Sequence, residues 1–361
     1  MNVDGVPYRS IWPIAQRAVG IIDQTGLPYE FRTLELESSR AVAAAIGSMQ
    51  VRGAPLIGVA AAYGIALAAN DDAGDSALEQ AGRELLASRP TAVNLRWAVD
   101  RMLACLRQSA PAQRRAAAWR EADAIAQEDV QINQAIGSHG SALLRQLHQR
   151  HGRPVNILTH CNAGWIATVD FGTALASVYM AHDAGVPLHV WVDETRPRNQ
   201  GLLTAWELAA HGVAYTLIAD NAGGHLMQHG KVDVVMVGAD RVSRNGDVCN
   251  KIGTYLKALA ARENSIPFYA AVPSPTIDWS LRDAMRDAPI EERAASEVRI
   301  VHGRDAGGRH SSVELAPPQA PVANPAFDVT PAHLVTGLIT ERGVAAPSGL
   351  DAMFPEAQGR P

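Results

Sequence analysis

Cysteine is scarce in this sequence, with three residues, Cys105, Cys161 and Cys249, among 361. Their odd number argues against a disulfide framework, and the absence of CxxC or Cys/His spacing gives no zinc-binding pattern. We therefore expect a protein of a reducing cytoplasm that holds no metal ion.

An excess of charge of one sign is also lacking. The chain has 32 Lys and Arg against 37 Asp and Glu, a formal net charge of -5 at pH 7, and both signs are scattered along it. Binding to nucleic acid depends on a basic patch or stripe, which this composition does not indicate. We expect no nucleic-acid partner.

Long apolar runs are rare, and the longest extends from Leu56 to Ala69. Two glycines interrupt it, and it is shorter than the roughly 18 residues that indicate a membrane-spanning helix. The first residues of the chain lack the basic and apolar stretches of a secretory signal. The sequence thus predicts a buried core helix at this run, no membrane partner and no export.

Two glycine motifs that bind nucleotides are missing. No GxGxxG follows a predicted strand, which disfavours a nicotinamide or flavin enzyme. No GxxxxGK[ST] occurs either, which excludes the chemistry of P-loop NTPases. The sequence therefore gives no sign of a dinucleotide or of a nucleoside triphosphate.

The first part of the chain is predicted to be mainly helical. From Ser39 to about Leu147 the pattern is rich in Ala and Arg, with breaks at prolines. Two short strands, Ala18 to Asp23 and Tyr29 to Leu36, precede it and are separated by a turn at Gly26. We predict a mainly helical N-terminal domain with a small sheet over residues 1–150.

After residue 150 short apolar runs alternate with helical segments. This alternation is typical of βαβ units, in which buried parallel strands are joined by right-handed crossovers. We predict an α/β fold class with a Rossmann-like catalytic domain over residues 151–361. The predicted strands are Val155 to Thr159, Leu188 to Val192, Ala214 to Ile218, Val232 to Val237 and Phe268 to Val272. A long surface loop, Val301 to Asn324, and a final helix near Ala332 to Thr340 are predicted to follow.

Ligands of open parallel sheets bind outside the carboxyl ends of the strands, so the residues after each strand are candidates for a site. Cys161 lies two residues after the predicted strand Val155 to Thr159. A helix expected to begin near Asp170 would offer backbone N–H groups that lower the pKa of a thiol. Cys161 is a candidate base or nucleophile, and the alternative is a small buried apolar residue, as most free cysteines are.

Asp240 follows a nearly continuous apolar run, Val232 to Val237. Loss of water at the end of a buried strand would raise the pKa of its carboxyl group from about 3.9 toward neutrality, so that it could donate a proton at pH 7. The alternative is that Asp240 caps the next turn or pairs with Arg241.

The stretch Arg52-Gly53-Ala54-Pro55 lies between two predicted helices. A guanidinium beside a helix N-terminus with free N–H groups suits a phosphate dianion. The alternative is a structural arginine in an interhelical turn. Gln200-Gly201 and Asn250-Lys251 likewise follow strands and begin helices, although polar caps of this kind occur in every α/β protein.

Several stretches spread over nearly the whole chain form a set that is more specific than any one motif. They are Val51-Arg52-Gly53-Ala54-Pro55-Leu56-Ile57-Gly58, Thr159-His160-Cys161-Asn162-Ala163-Gly164, Asp193-Glu194-Thr195-Arg196-Pro197, Gly238-Ala239-Asp240-Arg241, Asn250-Lys251-Ile252-Gly253-Thr254 and Asn324-Pro325-Ala326-Phe327-Asp328-Val329-Thr330-Pro331. Together they resemble the methylthioribose-1-phosphate isomerase family.

The resemblance implies an isomerase of methionine salvage, an intramolecular oxidoreductase that converts 5-methylthioribose 1-phosphate into 5-methylthioribulose 1-phosphate. It implies a homodimer that uses no metal or organic cofactor and acts on a small sugar phosphate. The catalytic pair of the family falls on Cys161 and Asp240. Its substrate contacts fall on Arg52, Gly53, Ala54, Arg96, Gln200, Asn250 and Lys251.

The same superfamily includes ribose-1,5-bisphosphate isomerases and non-catalytic regulatory subunits of an initiation-factor nucleotide exchange complex, and fold alone does not separate them. The presence of both Cys161 and Asp240 favours an enzyme over a sugar-phosphate or nucleotide sensor. In the implied reaction Asp240 is the acid that opens the furanose ring, and the Cys161 thiolate is the base that moves a proton from C2 to C1. A direct hydride shift is the alternative.

Overall fold

The computed structural model describes residues 1–357, and the chain begins with short antiparallel strands. They are β1 Asn2–Val3, β2 Val6–Pro7, β3 Ile11–Ile14, β4 Ala18–Ile22 and β5 Thr33–Leu36. The last three form one sheet, in which the central strand β4 is buried throughout. The predicted small sheet is confirmed, but its last strand begins at Thr33 rather than Tyr29, because Tyr29 and Glu30 both donate backbone hydrogen bonds to Gly26 in a turn.

Helices follow this sheet. They are α1 Ser39–Gly47, α2 Ala54–Asp71, α3 Asp75–Ser88, α4 Val93–Gln108 and α5 Arg114–His151. By length and composition α2 could cross a membrane, but 78% of its 18 residues are buried and it packs against the other four helices. A helix that is apolar on all sides is the core of its region. The buried core helix predicted for Leu56 to Ala69 is confirmed.

The helical region ends where the predicted change of pattern lies. Helix α5 ends at His151, followed by Gly152 with φ 64°, a left-handed cap that only glycine adopts without strain. The next strand begins at Val155. The division into two domains at residue 150 stays a prediction.

A seven-stranded sheet forms the second half of the fold. In order across the sheet its strands are β18 Gly343–Ala345, β17 Gly337–Thr340, β12 Phe268–Ala271, β9 Val234–Val237, β6 Val155–Thr159, β7 Leu188–Asp193 and β8 Tyr215–Ile218. All neighbours are parallel except β18, which is antiparallel to β17. The helices between strands are α6 Ala174–Asp183, α7 Gly201–Ala210, α8 Ala222–Gln228 and α9 Thr254–Glu263. The α/β class, the Rossmann-like sheet and the five predicted strands are confirmed.

A second, four-stranded sheet was not predicted. Its order is β13 Ile277–Asp278, β10 Arg241–Ser243, β11 Val248–Lys251 and β16 Phe327–Thr330. Strand β10 begins directly after Asp240, and Lys251 is the last residue of β11. This sheet therefore sets the positions of two predicted site residues.

The predicted surface loop from Val301 to Asn324 contains a hairpin. Strands β14 Ile300–Arg304 and β15 His310–Glu314 pair in antiparallel fashion. The alternation expected of a half-buried strand is absent, because β15 is exposed on both faces. The segment lies at the surface as predicted, but the prediction of a loop is wrong for the part that forms these two strands.

The prediction of a final helix near Ala332 to Thr340 is also wrong. Residues Gly337–Thr340 form β17, and Leu338 and Ile339 are both 0% exposed. A short apolar run buried on two faces of a sheet cannot be told from a buried helix by periodicity. The short helices near the end of the described chain are α10 Ala284–Asp287, α11 Ser296–Arg299 and α12 Leu350–Met353.

One buried carboxyl group links α5 to the loop before α6. Asp129, 8% exposed, accepts hydrogen bonds from the backbone N–H of Val169 at 2.7 Å and from Asn133 Nδ2 at 3.0 Å. Burial nevertheless raises the pKa of Asp129 to about 7. The folded protein therefore retains a proton that the unfolded chain loses near pH 4.

We expect this proton to make the free energy of unfolding fall as the pH rises from about 4 through about 7. The contribution, up to about 4 kcal/mol, is fully present below the unfolded pKa and is lost as the pH passes the folded pKa. Asp129→Asn cannot titrate, so its free energy of unfolding relative to wild type should rise with pH. Urea unfolding at about pH 5 and about pH 8 measures this, with exposed Asp100→Asn as the control. A difference that does not change with pH would contradict the prediction.

Candidate active site

The predicted site lies at the point where the chain changes direction across the large sheet. After β6 the strands β7 and β8 are added on one side, and β9 is then added on the other side of β6. The segments that leave β6 and β9 therefore diverge and open a crevice at the carboxyl ends of the strands. Cys161 follows β6 and Asp240 follows β9, so topology brings the two segments together.

Cys161 is held in an unusual backbone conformation. Its φ is 67°, a left-handed value that costs energy for a residue with a side chain. Its backbone N–H donates to Thr195 Oγ1 at 2.8 Å, and its carbonyl accepts from Thr204 Oγ1 at 2.8 Å. Thr195 follows β7 and Thr204 lies on α7, so two separate elements hold this turn in place and fix the position of the thiol.

The electrostatics at Cys161 differ from the prediction. The next helix, α6, begins at Ala174 rather than near Asp170. Burial raises the pKa of the thiol, while the positive charges of Arg52 and Lys251 oppose this rise. The prediction of a pKa lowered by a helix N-terminus is therefore wrong, and nearby cations are what favour the thiolate.

The pKa of Asp240 shifts in the direction that the sequence predicted. Burial raises the pKa of its carboxyl group, and the positive charges of Lys251, Arg89 and Arg52 oppose this. The alternative pairing with Arg241 is not found, because Arg241 bonds to Asp278 at 2.8 Å. Within residues 1–357 no hydrogen bond holds the Asp240 carboxyl group, so it can meet a ligand.

Arg52 is placed by the start of α2. Gly53, the N-cap of that helix, has φ 98°, and a Cβ there would lie 2.4 Å from the carbonyl oxygen of Ala167. Only glycine fits this close approach. The Arg52 guanidinium is 8% exposed and donates to Asn162 Oδ1 at 2.5 Å and to the Asn162 carbonyl at 2.8 Å. Ala54 begins the helix, whose first N–H groups have no side-chain cap.

Polar side chains from two further elements complete the arrangement. Gln200, the N-cap of α7, is 5% exposed and its Oε1 has no hydrogen-bond partner. Asn250 on β11 donates to Thr254 Oγ1 at 3.0 Å. Lys251 donates to the carbonyl of Ala326 at 2.9 Å. Burial lowers the pKa of Lys251, and negative charge at Cys161 and Asp240 opposes this.

A cavity of about 520 Å³ opens beside Arg52 and Gln200. The hairpin of β14 and β15 closes one side of it with His302 and His310. The apolar part of its wall consists of Leu27, Pro28, Met49, Leu202, Leu203 and Ile300. A smaller cavity of about 30 Å³ is shared by Ala54 and Asp240.

The structure does not bring Arg96 to this group. Its side chain is exposed and lines a separate cavity of about 600 Å³ together with Trp97 and Trp279. The position of Arg96 on α4 explains this, because it lies outside the stripe of buried residues that Leu95, Ala98 and Met102 form on that helix. Arg96 therefore has no contact that supports a role in substrate binding.

Arg89, which sequence analysis missed, takes the place expected of a further arginine. It lies at the C-cap of α3, lines the small cavity that contains Asp240, and pairs with Glu291 at 3.1 Å. Its charge opposes the rise in the pKa of Asp240. The signal in the sequence was an arginine at a proline break, Arg89-Pro90, the same setting as Arg52.

Behind Cys161 lies a buried charged network that was also missed. His160 Nδ1 contacts Asp193 at 2.9 Å and Nε2 contacts the carbonyl of Ile252 at 2.8 Å. His160, Asp193 and Asp220 could together hold a metal ion. However, Lys257 Nζ already lies 3.2 Å from Asp193, so the buried charge is balanced and we assign this network a structural role.

The fold and this cluster define an α/β protein whose candidate ligand site lies between helix α2 and the carboxyl ends of a Rossmann-like sheet. A model described as the initiation factor 2 subunit family matches residues 50–347. The chain belongs to this family.

Three relatives are similar to the chain over nearly its whole length. The chain is 61% identical to a methylthioribose-1-phosphate isomerase of Gluconobacter oxydans over 99% of both chains. It is 62% identical to one of Methylorubrum populi, again over 99% of both. The crystal structure of 5-methylthioribose 1-phosphate isomerase from Pyrococcus horikoshii OT3 is 41% identical, with a TM-score of 0.83 over 98% of this chain and 96% of that one. The resemblance stated from the sequence is confirmed.

Proposed function

We propose that this protein is an aldose-ketose isomerase that converts 5-methylthioribose 1-phosphate into 5-methylthioribulose 1-phosphate. The observation that carries the proposal is the meeting of Cys161 and Asp240, with Arg52 and Lys251 as counter-charges, in a crevice between β6 and β9. Relatives about 60% identical over the whole chain bear the name of that enzyme. The chemistry of an acid, a base and a phosphate site fits the same reaction.

The phosphate is assigned to Arg52 and the start of α2. A guanidinium offers a fork of donors, and the uncapped N–H groups of Gly53 and Ala54 add the positive end of a helix dipole. Burial strengthens these interactions because little water competes. The partnerless Oε1 of Gln200 is available for a hydroxyl group of the sugar.

Acid and base are assigned to the pair that shares this crevice. Negative charge on Asp240 raises the pKa of Cys161, so the two groups do not both ionise readily. One proton on the pair supplies an acid and a base together. Asp240 donates a proton to the ring oxygen as the bond between that oxygen and C1 breaks, and the Cys161 thiolate removes the proton from C2, which leaves a double bond between C1 and C2. Cys161 then returns this proton to C1, while the C2 hydroxyl gives its proton to the Asp240 carboxylate and becomes the ketone, so both groups regain their starting forms.

The 5-methylthio group is assigned to the apolar wall of the large cavity. Met49, Leu202 and Leu203 lie there close to Arg52 and Gln200. Burial of a thioether against such side chains is favourable. Burial of a second phosphate is costly there, because Arg198, the further arginine on the wall, is already paired with Glu297 at 2.8 Å. The cavity therefore favours methylthioribose 1-phosphate over ribose 1,5-bisphosphate.

Incubation with each sugar phosphate, followed by NMR, tests the function. Formation of the ketose from methylthioribose 1-phosphate supports the proposal. Faster turnover of ribose 1,5-bisphosphate would place the chain with the neighbouring isomerases, and binding without turnover would favour a sensor. With C2-deuterated substrate, loss of label to water would exclude a direct hydride shift.

The proposal also covers the compartment of the enzyme, its oligomeric state and its need for a cofactor. We infer a cytoplasmic homodimer that needs neither a metal nor an organic cofactor. Sedimentation equilibrium of the purified chain measures the oligomeric state. Activity that is unchanged after treatment with a chelator and dialysis would support the cofactor-free reaction, and its loss would contradict it.

Arg52→Ala should weaken substrate binding more than it slows chemistry. Hydrogen bonds to a charged group contribute about 1.5 to 3 kcal/mol, which predicts a rise in KM of about 10- to 150-fold. The matched control is Arg96→Ala, since Arg96 is exposed in the other cavity and should leave KM unchanged. Steady-state kinetics measures both. Wild-type KM in Arg52→Ala would show that this turn does not bind the phosphate.

A further inference from the structure

Glu207 on α7 is a buried acid that the assigned chemistry does not use. It is 1% exposed, and every group bonded to its carboxylate is a donor. Oε1 accepts from Asn162 Nδ2 at 2.9 Å, and Oε2 accepts from the backbone N–H of Trp165 at 2.9 Å and from the hydroxyl of Tyr179 at 2.6 Å. The Asn162 NH₂ group and the backbone N–H of Trp165 can only donate, and of these three partners only the Tyr179 hydroxyl could also accept, so the arrangement favours the charged form.

The surroundings are built closely around this carboxylate. A Cβ on Gly164 would lie 1.8 Å from Glu207 Oε2, so only glycine leaves room for it. Burial raises the pKa of Glu207, and the hydrogen bonds from Tyr179 and Asn162 act in the opposite sense. A buried charge retained at this cost needs a compensating partner.

The compensating charge is Arg52, reached through the side chain of Asn162. Asn162 Oδ1 accepts from the guanidinium at 2.5 Å while its Nδ2 donates to Glu207 at 2.9 Å. A carboxylate only accepts and a guanidinium only donates, so one orientation of the amide satisfies both. The charges also interact directly, since Glu207 opposes the lowering of the Arg52 pKa by burial.

We propose that Glu207 is a positioning residue: it fixes the Asn162 amide, which in turn fixes the Arg52 guanidinium at the start of α2. The inference rests on the proposed function in assigning Arg52 to the substrate phosphate. The hydrogen-bonded chain itself is a property of the fold and can be tested without any turnover.

Glu207→Gln tests this chain. A glutamine has one accepting oxygen, which we expect to stay with the backbone N–H of Trp165 because that donor cannot turn. Its NH₂ group then faces Asn162 Nδ2, so the Asn162 amide turns and presents Nδ2 to Arg52, which repels the guanidinium. KM should rise about 10-fold or more while kcat changes by less than about three-fold. The double variant with Arg52→Ala should have the KM of Arg52→Ala alone, because Glu207 acts through Arg52.

Tyr179→Phe is the matched control. It removes a hydrogen bond from Oε2 of the same carboxylate and leaves the bond to Asn162 in place. We expect a lower Tm with KM within about two-fold of wild type, which separates a loss of stability from a loss of positioning. Glu207→Asp, which keeps the charge but shortens its reach, should give a KM between those of wild type and Glu207→Gln.

A crystal structure of Glu207→Gln gives a readout that does not depend on the substrate. We expect the guanidinium of Arg52 to have left Asn162 Oδ1. An Arg52 that keeps both bonds to Asn162, or a wild-type KM in Glu207→Gln, would overturn the inference. If the wild type fails to isomerise the sugar phosphate, the proposed function fails, and the crystal structure still decides the role of Glu207.

Discussion

Replacement of Asp240 by Asn should lower kcat by about 10² to 10⁴, the usual contribution of one positioned acid or base. The amide has nearly the shape of the carboxyl group but cannot donate an acidic proton. No hydrogen bond holds the carboxyl group within residues 1–357, so folding does not depend on it. Burial raises the pKa of Asp240, and this direction favours the protonated form that the role requires.

The measurement is kcat at saturating substrate, with circular dichroism to confirm the fold. Asp278→Asn is the matched control, because Asp278 lies two strands away from Asn250 in the same small sheet and pairs with Arg241 at 2.8 Å. That variant should lose stability and keep its kcat. A folded Asp240→Asn protein with kcat within about three-fold of wild type would show that Asp240 is structural.

Replacement of Cys161 by Ser should cause a loss of kcat of similar size, about 10² to 10⁴. The hydroxyl group is close in size to the thiol, and the bonds from Thr195 and Thr204 hold the backbone rather than the side chain. The turn at φ 67° should therefore persist. A serine hydroxyl, however, stays protonated even beside Arg52 and Lys251, so it cannot act as the base.

Cys249→Ser is the control for this substitution. Cys249 lies on β11 next to Asn250, and burial raises the pKa of its thiol to about 12, so the thiol keeps its proton and is not expected to act as a base. The Cys249→Ser variant should be less stable than the wild type and have a kcat near the wild-type value. The double variant of Asp240 and Cys161 should be no slower than the slower single variant, because both groups act in one sequence. Additive losses would mean that the two residues serve separate steps.

Prediction of the fold succeeded where local pattern and burial agree. The strands Val155–Thr159 and Leu188–Asp193 are apolar, short and bounded by turn residues, so their type follows from the sequence. It failed at Gly337–Thr340, where a strand buried on both faces has no period to distinguish it from a helix. Prediction also missed the hairpin of Ile300–Arg304 and His310–Glu314, for the opposite reason. The second of these strands is exposed along its whole length, so it has no buried face to give a pattern.

Prediction of the site depended on which element each residue follows. Cys161 and Asp240 were candidates because both come directly after apolar strands, and parallel strands end at a common edge. Arg96 was assigned from a short matching stretch, but its position on α4 turns it to the surface. Arg89 stands at a proline break that could have indicated it. Glu207 contacts Asn162, Trp165 and Tyr179, which are distant in sequence, and no local pattern reveals such contacts.

The sequence by itself determined the class of the protein. Its apolar periods define the strands and helices, and its short motifs define the family, because both are properties of neighbouring residues. The tertiary structure alone decided the electrostatics of the site. The pKa of Cys161 is raised rather than lowered because burial outweighs Arg52 and Lys251, and these groups meet only when segments far apart in the chain pack together.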